Sequence, residues 1–571
     1  MRCELNIVSI EILPLQYVAL SYCWGEDLRP VDKLWCNDQT YFNLTPTLSL
    51  ALGWLTSLPT SEELYIWIDY LCIDQRNNTE KGIQVAMMGE IYSGAKLVLA
   101  WVIGDLNMEQ HTALMFLQTA STEIQKLRES GTAITYQTLE SIPTFKNGSR
   151  EFTALAKFLT LPYWQRMWII QEIVMARQVT IVCGGLPFEW EPFAMCLEIL
   201  LHNVPRYLSL RRPDGAGQMP PGLRAITYID GLRISRRENR QLPLALSLLL
   251  CQRFNSSKAC DKIYGTLGMI TDPIPPTLRP DYDAPVHEVY TAWTRHLLIS
   301  GESLVLQVSG IGWKRTIPGL PTWVPDWSSV PTREAFGIGN TEKNGFLAAG
   351  PSSLLVRQGT CSNSIILQAR FIGTVSKILP PDPLMTSAHN RAEQLVELCK
   401  LISWLAEIRH AIFLYTKYKD KDDAYWRVLI ANMMEMGAAA APEFLICFHH
   451  FLKFKFTEIA VSIGRGDIVQ EVGTADETAR GQLRFLEALG SVAETRVFVT
   501  GEEYVGRSQP GLMRGDEVWI VEGAKTPFVL REYHYTGKRM KTRTVVGDCY
   551  VHGLMKGEGM GLAAVEDVEL Y

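Results

Sequence analysis

The stretch Tyr65–Ala95, YIWIDYLCIDQRNNTEKGIQVAMMGEIYSGA, decides the predicted fold of the N-terminal half of the chain. With the preceding Leu64, its first part as far as Asp74 is an almost unbroken apolar and aromatic run. Such a run is typical of a strand buried on both faces of a parallel sheet. A polar turn follows at 75–79, then a predicted helix over 80–93 and a second apolar strand at 96–104. The stretch therefore predicts a strand–turn–helix–strand unit of an α/β fold.

The predicted helix has recognisable start signals. Asn78 or Thr79 is expected to cap it, and Glu80 falls in its first turn, where a carboxylate is favoured by the helix dipole. Ile83, Met87 and Ile91 are spaced to form its buried face, with Met88 beside them. The strand therefore passes into the helix through a turn that is rich in acidic and amide groups, at the rim where open α/β sheets bind ligands.

Three carboxylates, Asp69, Asp74 and Glu80, lie within twelve residues. They form a candidate divalent-metal site, but Asp69 and Asp74 are five apart on the predicted strand and so point to opposite faces. This disfavours a metal, and none is predicted. Asp74 is alternatively expected to close the turn through an Asx-type bond. Asp69 would need a buried partner, an arginine or backbone amides.

Further polar and aromatic side chains are predicted near the same rim. The strand Tyr17–Trp24 ends in Ser21, Tyr22 and Trp24, which either line a ligand pocket or pack in the sheet. Gln84 lies one helical turn after Glu80. The remaining candidate, Arg166, either pairs with Asp69 or Glu80 or binds a phosphate.

Beyond this unit, the strand Val179–Cys183 is predicted to close the first domain, after a helix over 163–176. In that helix Trp164 and Trp168 are expected to share one face, and Gln171 and Glu172 are candidates to complete the rim pocket. Eight arginines between 206 and 240 make this the most basic stretch, and they are interpreted as a solvated helix face rather than a nucleic-acid site, because no aromatic residues alternate with them.

Besides WIDYLCIDQ and GIQVAMMGEIYSGAKLVLAWVIG, the chain contains seven further notable segments: ALSYCWG (19–25), LPYWQRMWIIQEIVMA (161–176), CDKIYGTLGMI (260–270), RPDYDAPVHEVY (279–290), LPTWVPDWS (320–328), RGDEVWIVEGAKTPFVLR (514–531) and VVGDCYVHGLMKGE (545–558). In sequence and in order, these segments resemble those of the fungal heterokaryon incompatibility (HET) domain family.

The resemblance implies a flavodoxin-like, TIR-like parallel sheet and a role in fungal non-self recognition and programmed cell death. Some TIR domains cleave NAD with one glutamate near the start of a helix that precedes a core strand, and Glu80 holds such a place. The resemblance therefore implies Glu80 as the catalytic residue and NAD as the substrate, with no resident cofactor. The alternatives are that Glu80 only stabilises the helix start, that the domain is a non-enzymatic oligomerising module, or that the chain is an accessory protein of a biosynthetic pathway. Self-association through the HET domain and an incompatibility partner protein are expected.

The chain is long enough for several domains. The prediction places an α/β HET domain at 1–200, a mainly helical connecting region at 201–330, and a β-rich domain formed by 331–380 and 491–571, with a helical insertion at 381–490.

Composition narrows the class of protein. Hydrophobic residues make up 47% and charged residues 20%, as in ordinary globular proteins, and the net charge of −6 gives no reason to expect nucleic-acid binding. The 12 cysteines form no CxxC pair and are expected to be free thiols. The N-terminus lacks a signal-peptide pattern and no apolar run is long enough to span a bilayer, so a cytoplasmic protein is expected.

Overall fold

The computed structural model describes residues 1–10, 16–25, 29–37, 40–58, 63–145, 150–203, 220–240, 243–270, 274–331, 333, 335–337, 345–383, 391–433, 439–462, 475–533 and 542–571. These residues form two compact units, Met1–Ala284 and Pro285–Tyr571. The division falls inside the region 201–330 that the sequence predicts to connect two domains. The first unit is an α/β region followed by helices, and the second contains a β-barrel.

The strands of the first unit are β1 (Arg2–Cys3), β2 (Tyr17–Tyr22), β3 (Asp32–Cys36), β4 (Thr40–Leu44), β5 (Tyr65–Trp67), β6 (Leu97–Ile103), β7 (Val179–Cys183) and β8 (Leu186–Glu189). Its helices are α1 (Pro46–Ser57), α2 (Asp69–Cys72), α3 (Asn78–Gly94), α4 (Met108–Glu129), α5 (Tyr136–Glu140), α6 (Arg150–Phe158), α7 (Ile169–Val174), α8 (Trp190–Asn203), α9 (Pro221–Arg237), α10 (Leu244–Cys251) and α11 (Asp261–Tyr264).

The main sheet of the first unit has the strand order β5-β2-β6-β7-β8. The first four strands are parallel, and β8 returns antiparallel to β7 as a hairpin. One face of the sheet packs on α1 through Leu20, Tyr22, Leu48 and Leu52. On the opposite face the hydroxyl of Tyr17 donates a hydrogen bond to the Ile91 carbonyl of α3 at 2.5 Å. Helices therefore cover both faces, as the apolar strands require.

The predicted long strand Leu64–Asp74 is wrong beyond Trp67. Strand β5 has three residues, and the chain then turns into α2, where Ile68 accepts backbone hydrogen bonds from Leu71 and Cys72. The reason is that β5 is the edge strand and pairs only with β2, so its residues are half-buried rather than covered on both sides. Apolar side chains of this run are buried without a long central strand. Ile68 and Ile73, the residues that flank α2, are both buried.

The predicted buried face of α3 is also wrong in part. The cap is Asn77, whose side chain accepts the backbone N–H groups of Thr79 and Glu80. Ile91 and Met88 are buried as predicted, but Ile83 is 57% exposed, and Val85, which was not predicted to face inward, is buried. Gly82 and Gly89 determine which face of α3 is buried, because a glycine allows another backbone to approach closely.

Two glycines of α3 mark this contact. A Cβ on Gly82 would lie 2.5 Å from the carbonyl oxygen of Pro280, and a Cβ on Gly89 would lie 2.6 Å from the Cα of Gly268. Helix α3 is therefore packed closely against Gly268 and Pro280, which belong to the first unit.

The predicted helix over 163–176 is shorter than expected. A 3-10 turn, Pro162–Gln165, is followed by an extended residue, Arg166, and only then by α7. Trp164 and Trp168 therefore do not share one face of a continuous helix. The extended backbone at Arg166 forms a parallel β-bridge with Asn255. The residue between the 3-10 turn and α7 therefore has a backbone partner.

The arginine-rich stretch is only partly a solvated face. Arg206, Arg211 and Arg212 lie outside the described residues. Arg233 of α9 is 1% exposed and donates hydrogen bonds to the carbonyls of Ile173 (2.6 Å) and Ala176 (2.5 Å). For Arg233 the solvated-face interpretation is wrong, because its guanidinium caps the carboxyl end of α7.

The second unit contains β9 (Val356–Gln358), β10 (Ile365–Ile378), β11 (Arg496–Thr500), β12 (Val505–Ser508), β13 (Glu517–Val521), β14 (Phe528–Tyr533), β15 (Thr542–Val551) and β16 (Val565–Leu570). Its helices are α12 (Val286–Ile299), α13 (Leu304–Gln307), α14 (Arg391–Tyr415), α15 (Lys421–Leu429), α16 (Leu445–Ser462) and α17 (Ala475–Ser491).

The sheet of the second unit closes on itself. Strands β11, β12, β15, β14, β13 and β10 follow one another, and β10 pairs again with β11, which forms a barrel. Strand β10 precedes α14–α17 in the sequence and β11 follows them, so these helices are inserted between two paired barrel strands. The insertion was predicted at 381–490, of which 384–390, 434–438 and 463–474 lie outside the described residues.

In the described part of the chain, no helix is long and apolar enough to cross a membrane. The cysteines are free thiols.

Candidate functional site

Three buried side chains, Ser21, Tyr163 and Glu172, lie together with the half-buried Arg166 at the carboxyl end of β2, and the four are called the buried polar cluster. The hydroxyl of Ser21 lies 2.6 Å from that of Tyr163 and donates a short hydrogen bond to the Glu172 carboxylate. Ser21 is fully buried and Glu172 is 2% exposed. Ser21 is the last residue of β2 but one, whereas Glu172 lies in the first turn of α7. The fold therefore joins residues that are 151 positions apart.

Arg166 supplies the positive charge of the cluster. Its guanidinium donates a hydrogen bond to the carbonyl of Tyr22, and its charge acts on both Glu172 and Asp69. Burial raises the pKa of Glu172 to about 7, while the charge of Arg166 and the hydrogen bond from Ser21 act in the opposite direction. A buried carboxyl group that titrates near neutral pH is a common feature of functional sites.

Asp69 lies beside the cluster. It is half-buried and accepts hydrogen bonds from the Trp24 indole at 3.1 Å and from its neighbour's backbone N–H, that of Tyr70, at 2.7 Å. Burial raises its pKa, and the charge of Arg166 opposes that shift. The need for a buried partner, which the sequence indicated, is met by an indole, a backbone amide and the field of an arginine.

Glu80 and Asp74 form a separate group at the start of α3. The Glu80 carboxylate accepts the backbone N–H of Asp74 at 3.0 Å, and the Asp74 carboxylate accepts that of Arg76, also at 3.0 Å. The bond to Arg76 has the Asx-type geometry expected for this turn. These contacts order the turn before α3, and none of them reaches the buried polar cluster.

The other predicted rim residues take different positions. Tyr22 is buried on the α1 face of the sheet, opposite to Ser21, so it belongs to the core. Trp24 is half-buried, and its ring meets that of Tyr70 edge to face at 5.5 Å. Gln84 is half-buried on α3. The structure brings together Ser21 and Arg166, with Asp69 and Trp24 alongside.

The sequence pattern indicates Gln171 and Glu172 only as candidates to complete the rim pocket. Gln171 is fully buried and bridges two backbone groups: it donates to the Tyr264 carbonyl at 2.8 Å and accepts from the N–H of Gly268 at 3.1 Å. Tyr163 is a member of the cluster that the sequence pattern did not indicate. The available signal was the pattern YWQRMWIIQE, which places a tyrosine, an arginine and a glutamate within ten residues.

Within the described ranges, no group of three or more histidine, cysteine or acidic residues is arranged to hold a metal ion. The buried polar cluster has the components of proton-coupled or electrostatic chemistry: a carboxyl group, two hydroxyls and a guanidinium.

The pKa of Glu172 predicts a pH dependence of stability. The folded-state pKa of about 7 lies above the ~4.3 of an exposed glutamate, so the folded state binds the proton more tightly. Its stabilising contribution is complete below the unfolded pKa and is lost as the pH rises through the folded pKa. Glu172→Gln removes this titration, and thermal melts should show the wild type gaining stability relative to the variant between pH 8 and pH 5. A difference in Tm that stays constant over this range would contradict the assignment.

Comparison with known proteins gives consistent matches. The family model described as Heterokaryon incompatibility protein (HET) matches residues 17–172, and the Het-6 beta-barrel domain matches residues 467–570. The chain is 23% identical to Heterokaryon incompatibility protein 6, OR allele, of Neurospora crassa, over an alignment covering 98% of this chain and 92% of that protein. No solved structure matches the chain significantly. The first match begins at β2 and ends at Glu172, and so contains the whole buried polar cluster.

Proposed function

Because the chain belongs to the family of heterokaryon incompatibility (HET) domain proteins, we propose that it acts in fungal non-self recognition and programmed cell death, and that its N-terminal domain does so by hydrolysing NAD in the cytoplasm. The observation that carries this proposal is the buried Glu172, which lies in the first turn of a helix that leads into a core strand.

The topology of the sheet supports a TIR-like domain. If the parallel strands β2, β5, β6 and β7 are counted from 1 to 4 along the chain, their spatial order is 2-1-3-4, which begins the order of flavodoxin-like sheets. In such sheets ligands bind outside the carboxyl ends of the strands, where the order reverses, here between β2 and β6. Ser21 lies near the carboxyl end of β2 and is paired with Ala100 of β6, so the buried polar cluster lies beside the expected ligand position.

The chemistry needs little more than a placed carboxylate. The bond between the ribose anomeric carbon and the nicotinamide nitrogen breaks, its electron pair leaves with nicotinamide, and water adds to the oxocarbenium-like carbon with loss of a proton. A carboxylate near that carbon stabilises the developing positive charge or orients the water. Glu172, ionised for about half the time near neutral pH, is suited to either task.

Glu80 remains the alternative catalytic residue, because it also lies in the first turn of a helix that leads into a core strand. Its carboxylate accepts the Asp74 N–H at 3.0 Å, a contact that suits a residue stabilising the helix start. Glu172 instead lies near a guanidinium and accepts a hydroxyl hydrogen bond. These contacts favour Glu172 as the reacting carboxylate and leave Asp69, Trp24 and Arg166 as candidates for ligand contacts.

The proposal is tested by expressing the full chain in a fungal host and measuring cellular NAD and viability together. The wild type should deplete NAD and then reduce viability, whereas Glu172→Gln, present at the same level, should do neither. Death without loss of NAD would contradict hydrolysis as the mechanism. The role itself would be contradicted if abundant wild-type protein, co-expressed with incompatible alleles, caused neither loss of NAD nor loss of viability.

A second function, a non-enzymatic association module, is favoured by the surface of α3. Ile83 is 57% exposed on this helix, and the contacts of Glu80 and Asp74 are internal ones that order its first turn. In this version the HET domain self-associates or recruits an incompatibility partner protein. Light scattering at increasing protein concentration tests self-association. A chain that remains monomeric at the highest concentration would exclude it.

A further inference from the structure

Two lysines share one tyrosine ring close to the buried polar cluster. The ammonium nitrogen of Lys81 lies 4.7 Å from the centroid of the Tyr282 ring, and that of Lys258 lies 4.6 Å from it. Lys81 is the fourth residue of α3, and Lys258 precedes α11. Both contacts lie within the range of cation–π interactions, so both ammonium groups lie against the same ring, and the charge of Lys258 acts on Lys81.

Neither ammonium has a carboxylate partner. Among the described residues, no carboxylate oxygen lies within 4.0 Å of Lys81 or Lys258. The nearby Asp261 carboxylate accepts the Tyr282 hydroxyl at 2.9 Å. Burial lowers the pKa of Lys81, and the positive charge of Lys258 lowers it further. The charge of Asp261 acts on both lysines in the opposite direction, but neither ammonium forms an ion pair with it. The repulsion between the two ammonium groups would fall further if both contacted one bound anion.

The surrounding contacts fix this arrangement. Asn78, at the start of α3, donates a hydrogen bond to the carboxylate of Asp283 at 2.6 Å. The backbone N–H of Asp281 donates to the Tyr264 hydroxyl at 3.0 Å. The residues on both sides of Tyr282 are thus anchored, so the binding groups are already ordered before a ligand arrives.

The lysine pair is open to solvent and close to the proposed site of hydrolysis. Lys258 is exposed and Lys81 is half-buried. The charge of Asp69 acts on Lys81 as well as on Arg166, so the same carboxylate is near Lys81 and near the arginine of the buried polar cluster. A ligand that reached both regions would carry its anionic part at the lysines.

We propose that Lys81 and Lys258 bind the diphosphate group of a nucleotide. A diphosphate carries enough negative charge to neutralise both ammonium groups, and lysine is a common phosphate ligand in proteins. The proposal deepens the proposed NAD hydrolysis and rests on it for the identity of the nucleotide, because NAD carries a diphosphate between its two ribose groups. The binding of the diphosphate itself can be measured without any reaction.

Calorimetric titration of the full chain with inorganic pyrophosphate tests the site. Lys81→Gln and Lys258→Gln keep the aliphatic stem and remove the charge, and each should weaken binding by about tenfold or more, as expected for the loss of ~1.4 kcal/mol of charge-assisted binding. Lys258→Arg should retain binding. Lys96→Gln, which removes an exposed charge just after the other end of α3, is the matched control and should leave binding unchanged.

Equal binding by wild type, Lys81→Gln and Lys258→Gln would overturn the proposal, as would a folded wild type that does not bind pyrophosphate. The outcome is separable from that of the proposed function. Lysine-dependent pyrophosphate binding without NAD turnover would retain the diphosphate site and reject hydrolysis. NAD turnover, together with a pyrophosphate affinity that is unchanged in both lysine variants, would retain hydrolysis and reject the diphosphate site.

Discussion

Replacing Glu172 by glutamine is expected to lower NAD turnover by the purified full chain about 100-fold or more. Glutamine has nearly the same shape and can still accept the hydrogen bond from Ser21, but it carries no charge. The loss of one electrostatic stabiliser of the transition state costs on the order of 10²–10³ in rate. The measurement is the rate of NAD consumption at saturating substrate, and circular dichroism checks that the variant is folded.

Glu80→Gln is the matched control for this prediction. Its carboxylate contacts the backbone of the preceding turn, so this substitution should leave the rate within about threefold, a change below 1 kcal/mol. The opposite result, a severe loss in Glu80→Gln with normal turnover in Glu172→Gln, would place the reaction at the start of α3 and reject the role assigned to Glu172.

Replacing Gly89 by alanine is expected to destabilise the first unit strongly. The added Cβ would lie 2.6 Å from the Cα of Gly268 and 2.8 Å from its carbonyl oxygen. Both atoms belong to a backbone, which cannot move aside as a flexible side chain can. Overpacking of this kind costs ~1–3 kcal/mol or more, which exceeds the helix propensity that alanine gains. Denaturant unfolding should show the loss, and thermal melts should shift down by roughly 6–12 °C for a loss of ~3 kcal/mol.

Gly53 provides the control. It lies inside α1, and a Cβ there would meet no atom within 4 Å. Gly53→Ala should therefore stabilise the chain by up to ~1 kcal/mol through helix propensity. If both alanine variants lowered the free energy of unfolding equally, the close packing of α3 against Gly268 would not be the cause.

Parts of the fold were predictable because their signals are local. The strands observed as Tyr17–Tyr22 and Val179–Cys183 are short apolar runs bounded by turns, and both predictions are confirmed within two residues. The run after Leu64 was mispredicted because an aromatic segment gives the same hydrophobic signal in an edge strand followed by a helical turn as in a central strand. Pairing with a single neighbour depends on the order of the strands, which periodicity does not specify.

The site shows the same limit. Ser21 and Arg166 were identified from their position near strand ends or in a polar pattern, and the structure brings them together. The weight given to Glu80 came from its place at a helix start, a feature that Glu172 shares. The difference between the two carboxylates is their surroundings. The partner of Glu172 is a serine 151 residues away, and such a contact is set by tertiary packing rather than by local spacing.

The most direct test of the account is release of nicotinamide from NAD by the purified wild-type chain at high protein concentration. The account predicts stoichiometric formation of nicotinamide and ADP-ribose. It also predicts that the rate falls about 100-fold or more in folded Glu172→Gln protein. Absence of nicotinamide with concentrated, folded wild-type protein, or an unchanged rate in Glu172→Gln, would contradict the claim that Glu172 carries out NAD hydrolysis.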